Sequence, residues 1–82
     1  MGCFTLAEVN NIRNQEYLNA FGSNLRKLRK AKGLSMEKLA QLSGVEYSQI
    51  SDIELGKINT TISTVKSIST ALTLHTKELF DF

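Results

Sequence analysis

The side chains here that could do chemistry are few, and their chemistry is hydrogen bonding and charge pairing. The chain holds a single His, His75, and a single Cys, Cys3, near opposite ends, so no metal-ligand cluster and no Cys-His pair stands at a readable spacing. No paired carboxylates and no Gly-rich phosphate loop stand at a readable spacing. An enzyme is therefore not expected, nor a metal, a cofactor or a small-molecule ligand, and His75 reads as a local polar group beside a helix start. What remains is a run of small polar residues, Tyr47, Ser48, Ser51 and Asp52. Wound as a helix at about 100° per residue, these four fall on one side, with Ile50 and Ile53 on the other. A helix packed through its isoleucines projects two hydroxyls, a phenol and a carboxylate outward. Such a face either exchanges hydrogen bonds with another molecule or is merely solvated.

The elements that position this face lie between Ser35 and Leu55. Apolar or small residues at Leu39, Ala40, Val45, Ile50 and Ile53 follow a helical period that Gly44 breaks once. A residue without a Cβ can take the left-handed conformation that ends one helix and turns the chain into the next. Ala40, one turn earlier, lets the second helix come close to the first. Two short helices joined this way make a helix-turn-helix. Ser35 is the natural N-cap of the first, with Glu37 near the positive end of its dipole. Glu46 stands at the less favourable cap of the second, which runs to about Leu55 and is closed by Gly56.

Around this pair the periodicity predicts three more helices. Leu18, Phe21, Leu25 and Leu28 give an amphipathic helix over about 16–31, with Gly22 weakening its beginning so that it effectively starts near Phe21 or Ser23, and Gly33 ending it. Residues 60–73 are rich in β-branched side chains. Ile62, Val65, Ile68 and Leu72 nevertheless recur every three or four positions, which predicts a helix capped by Thr60 or Thr61 whose stripe is buried on the core. A short helix from Thr76 to Phe80 closes the chain, with Leu74, Leu79 and Phe80 as its contacts. Residues 1–15 read as a partly ordered extension and 16–82 as the domain. Thr5 to Glu8 has the form of a capping box, and Cys3, Phe4 and Leu6 equally permit an extended arm.

Leu39, Ala40, Gly44, Val45, Ile50 and Ile53 stand at the spacing of the phage repressor and Cro class of helix-turn-helix proteins, the XRE family, which the chain resembles over about residues 21 to 80. Two positions depart from the family pattern: Met36, where a phosphate-binding Gln is common, and Ser43, where an apolar residue is usual. The resemblance implies an all-α, five-helix, lambda-repressor-like fold and a transcriptional regulator that binds double-stranded DNA, acting as a homodimer on a palindromic or repeated site. Free-standing domains of this kind include restriction-modification controllers and antitoxins that repress their own operons. By position, Tyr47, Ser48 and Asp52, with Ser51 beside them, are the candidates for base edges in the major groove. The face lacks Arg and Asn, and Gln49 lies at its edge, so part of any sequence preference would rest on DNA shape. The resemblance also implies an ion pair between Arg29 and Glu54, which makes Arg29 structural.

Phosphate contacts are expected around this helix. Asn59, Thr60 and Thr61 precede a helix whose first N–H groups are unpaired and attract phosphate oxygens. Lys57, Ser35 and Lys38 are further candidates, while Thr60 and Thr61 compete as ordinary caps. A net charge of +2 says little, but no acid falls between Glu16 and Glu37, where Arg26, Lys27, Arg29, Lys30 and Lys32 cluster. Alone, such a cluster is as readily a solvated helix face.

The 82 residues make one domain with a modest core, and the composition, 41% hydrophobic and 22% charged, is that of a soluble helical protein. No apolar run reaches the length of a membrane span, so a cytoplasmic location is expected, with which an unpaired Cys3 agrees. The rival reading is a protein-interaction module that keeps the fold and binds a partner other than DNA. Met36 and the acidic Asp52 favour it.

Overall fold

The computed structural model describes residues 13–82, and these form four α-helices and a closing 3₁₀ helix: α1 (Gln15–Ala31), α2 (Met36–Ser43), α3 (Tyr47–Glu54), α4 (Ile62–Ala71) and the 3₁₀ helix (Thr76–Phe80). The arrangement is the all-α one expected. The capping box at Thr5 and the alternative arm of Cys3, Phe4 and Leu6 lie outside the described residues. α1 packs on α3 and on the 3₁₀ helix, and α2 packs on α3 and α4. The shared core is built from Phe21, Leu25, Leu39, Val45, Ile50, Ile53, Val65, Ile68, Leu72 and Leu79. Every helix contributes to it, so burial supplies the helicity that the β-branched α4 lacks in its own propensities.

Helix ends explain themselves locally. Asn14, Ser35 and Thr61 cap α1, α2 and α4, each accepting a backbone N–H from three residues on, and Glu46 caps α3 without a side-chain bond. Gly44 sits at φ 75°, and its N–H donates to the Ala40 carbonyl. Ser43, where an apolar residue was expected, accepts the Val45 N–H at 3.2 Å and so fastens the turn. Thr73 occupies the same left-handed region at φ 58° after α4. There its N–H and that of Leu74 close on the Thr70 and Ser69 carbonyls, the double bond of a Schellman ending.

Two expectations fail. Gly22 does not delay α1, which runs unbroken from Gln15. Its missing side chain serves packing instead: a Cβ there would lie 2.3 Å from the Ile53 carbonyl oxygen and 2.6 Å from that of Glu54. The helix tolerates the glycine because α3 crosses at that point. Ile62 does not join the buried stripe of α4 and is 87% exposed, because as the first residue of its helix it extends past the core that Val65, Ile68 and Leu72 reach.

Buried polar groups staple the 3₁₀ helix. Asn24 donates to the Glu78 and Leu79 carbonyls at 3.0 and 2.9 Å, and Ser69 Oγ lies 3.1 Å from Thr76 Oγ1. Phe80 covers the outside, with its ring 4.9 Å from that of Phe21. The Glu78 carboxylate accepts the His75 N–H at 2.7 Å, which places His75 at the start of this helix through its backbone.

Candidate nucleic-acid interface

α3 is anchored from behind and open in front. Ile50 and Ile53 are sealed in the core, whereas Tyr47, Ser48 and Gln49 are exposed and Ser51 and Asp52 are half-buried. The exposed residues are those of the first turn, where the unpaired N–H groups of a helix make a partly positive end. No acidic side chain stands in that turn. A face of this kind, small and polar at the electropositive end of a short helix, can enter a groove lined by acceptors.

The anchor is an ion pair. Arg29 Nε lies 2.6 Å from Glu54 Oε2 and Nη2 lies 3.0 Å from Oε1, a two-point contact, while Nη1 donates to the Leu34 carbonyl at 2.8 Å. Both side chains are almost fully enclosed, at 8% and 5% exposure. The hydrogen bond to Glu54 holds the guanidinium above the ordinary arginine pKa; burial acts the other way, and the charge of Glu54 and then Tyr47 push upward. The pair ties the last turn of α1 to the end of α3 and fixes α3 against its scaffold.

The six phosphate candidates divide by environment. Ser35, Lys38, Lys57, Asn59 and Thr61 are exposed. Ser35 and Thr61 use their hydroxyl oxygens as caps for the Lys38 and Thr64 N–H groups, and the Thr61 hydroxyl also donates to Thr64. Thr60 differs, because its Oγ1 is buried without a hydrogen-bond partner and is withheld from solvent. Met36 is partly buried against the core, so apolar packing occupies the position where a phosphate-binding Gln is common in the family.

Within the basic cluster on and just after α1, Arg26, Lys27 and Lys30, spaced by three and four residues, share one exposed side of the helix. Arg29 is in the ion pair, Lys32 donates to Thr73 Oγ1 at 3.4 Å beyond the end of α4, and Lys27 lines a shallow groove with Asp81 and Phe82.

Sequence reading missed the polar cluster behind the end of α3. Arg13 Nη2 donates to the carbonyls of Gly56 and Lys57, at 3.2 and 2.6 Å, and its Nε donates to Gln15 Oε1 at 3.1 Å. Gln15 Nε2 in turn donates to Gly56 O and to Asn19 Oδ1, both at 2.8 Å. Partners 43 and 44 residues apart leave no local signal. Among the described residues, no three His, Cys, Asp or Glu side chains are grouped to hold a metal, and no helix is long and apolar enough to cross a membrane.

Known proteins with this arrangement share much of its sequence. The helix-turn-helix family model (HTH_3) matches residues 25–79. The control protein C.BamHI of Bacillus amyloliquefaciens is 40% identical over 63 residues, which are 76% of this chain and 78% of that protein. The transcriptional regulator PuuR of Escherichia coli is 37% identical over 72% of this chain, and the match spans only 32% of PuuR. Among solved structures, the restriction-modification controller protein C.AhdI of Aeromonas hydrophila superposes with a TM-score of 0.76 at 44% identity, covering 77% of this chain and 96% of that one.

Proposed function

The chain belongs to the helix-turn-helix family of DNA-binding transcriptional regulators, and from that premise we propose that it works as a homodimer on a palindromic or repeated operator with α3 in the major groove. Tyr47, Ser48, Ser51 and Asp52 face base edges. Lys57, Ser35, Lys38, Asn59 and Thr61 contact phosphate, and at Thr60 only the backbone takes part, because the hydroxyl is enclosed. The observation that carries this reading is α3 itself, sealed through Ile50 and Ile53, held by Arg29 and Glu54, and open along its first turn.

Likeness to two controller proteins supports a restriction-modification controller that regulates its own operon in the cytoplasm. The reading domain runs from α1, with its cap Asn14, to the 3₁₀ helix. Dimerisation follows from specificity: one short helix reaches few base pairs, and two half-sites about one helical turn apart multiply its discrimination. Outside α3, Tyr17, Leu42, Leu55, Ile62, Phe80 and Phe82 are exposed apolar residues available for the contact.

A salt titration of binding to random duplex DNA tests the reading. A regulator neutralising several phosphates shows log affinity falling steeply against log salt. Weak binding without that slope would favour the protein-interaction module.

A further inference from the structure

The end of α3 is electrostatically awkward. A helix C-terminus is partly negative, yet the last turn here carries Asp52 and Glu54 and no basic residue. Arg29 answers Glu54. The carbonyls just beyond, at Gly56 and Lys57, receive their cation from elsewhere, through Nη2 of Arg13.

The geometry around Gly56 is closely fitted. Its backbone sits at φ 73°, and a Cβ there would lie 2.2 Å from Asn19 Oδ1 and 3.2 Å from Asn19 Cα. The loop therefore rests directly on the first turns of α1, with Gln15 and Arg13 donating to it from the same side. That loop carries Lys57 and Asn59, both exposed.

We propose that Arg13 is a positioning residue for DNA binding, clamping the loop after the reading helix so that Lys57 and Asn59 are held in register with α3. The proposal rests on the reading of Lys57 as a phosphate contact. Arg13 acts through the loop carbonyls and does not itself bind DNA. Nη2 serves both loop carbonyls and Nε serves Gln15 Oε1, so the planar guanidinium joins loop and α1 through two nitrogens at a fixed separation, which the single nitrogen of an ammonium does not reproduce.

The test uses the full chain with Arg13→Ala, Arg13→Lys, Lys57→Ala and the Arg13→Ala/Lys57→Ala double variant. Thermal unfolding establishes that each variant is folded. Amide exchange at Gly56 and Lys57, whose N–H groups bond to the Ile53 and Asp52 carbonyls, should speed up by about fivefold in both Arg13 variants, as loss of a partly exposed charge-assisted bond implies. Exchange at Leu25 and Ile50 should not change. Both Arg13 variants should lose affinity for a selected duplex alike, and Lys57→Ala should cost less in the Arg13→Ala background than in the native chain. If Arg13 instead met phosphate directly, Arg13→Lys would retain affinity, and Arg13→Ala would flatten the salt slope by about 1 with exchange unchanged. That result overturns the clamp and leaves the function standing. Absence of salt-dependent binding by the native chain would overturn the function, and with it the role of Arg13 in it.

Discussion

Arg29 and Glu54, 25 residues apart in sequence, meet through two hydrogen bonds of 2.6 and 3.0 Å in a nearly closed environment between α1 and the end of α3. Removing either partner leaves an uncompensated buried charge, a change of about 3 to 5 kcal/mol, which is much of the stability of a domain this small. Arg29→Ala and Glu54→Ala should each lower the urea midpoint severely, and the double variant should cost less than their sum. Additive losses in that cycle would show that the contact contributes no coupling. Because the guanidinium pKa is raised, its contribution is fully present through the neutral range and is lost on the alkaline side only as pH rises through the raised value. Arg29→Ala should therefore cost the same in urea at about pH 7 and at about pH 9.

Gly22 supplies a prediction opposite in sign to helix propensity. In an open helix, Gly to Ala stabilises by about 1 kcal/mol. Here the added methyl would meet two backbone carbonyl oxygens of α3, so Gly22→Ala should destabilise by about 1 to 3 kcal/mol, the usual range for overpacking. A raised melting temperature in this variant would mean that α1 and α3 are further apart than described.

Thr73 is the converse case. A β-branched residue holds a left-handed position after α4 that glycine fills after α1 and α3. Thr73→Gly should relieve the strain and raise stability by up to about 1 kcal/mol, the gain being reduced by the greater freedom of glycine in the unfolded chain. Calorimetric unfolding of the two proteins at one pH checks it, and a destabilised variant would point to the Lys32 to Thr73 bond as the larger effect.

Reading and holding should fail differently. Ser48→Ala, on the open first turn of α3, should lower affinity for a selected operator by about 1 to 3 kcal/mol and leave random duplex unaffected. Lys57→Ala should weaken both alike and flatten the salt slope by about 1. Equal losses on both DNAs for Ser48→Ala would assign that residue to the backbone instead.

What the sequence disclosed and what it hid follow one division. Gly44, Ser35 and the pair Ile50 and Ile53 act within a few residues of themselves, so period and capping chemistry located the two central helices. Gly22 was misjudged because propensity is a local quantity, whereas its function is set by carbonyls at Ile53 and Glu54. Ile62 fitted the apolar stripe by period, yet a period does not say where along a helix the core stops. The clasp of Arg13 on Gly56 and Lys57, and that of Asn24 on the 3₁₀ helix, join residues more than forty positions apart and leave no pattern to read.

The central claim, that α3 reads DNA as one of two symmetric copies, is tested most directly by selecting bound duplexes from a random pool with the native chain and with Asp52→Asn. Asparagine removes a charge that phosphates repel and offers an amide suited to adenine. The native chain should enrich a site with two related half-sites about one helical turn apart. Asp52→Asn should bind random DNA more tightly and change the preferred base at one position in each half-site. No enriched sequence, or an identical preference in both proteins, would contradict the account.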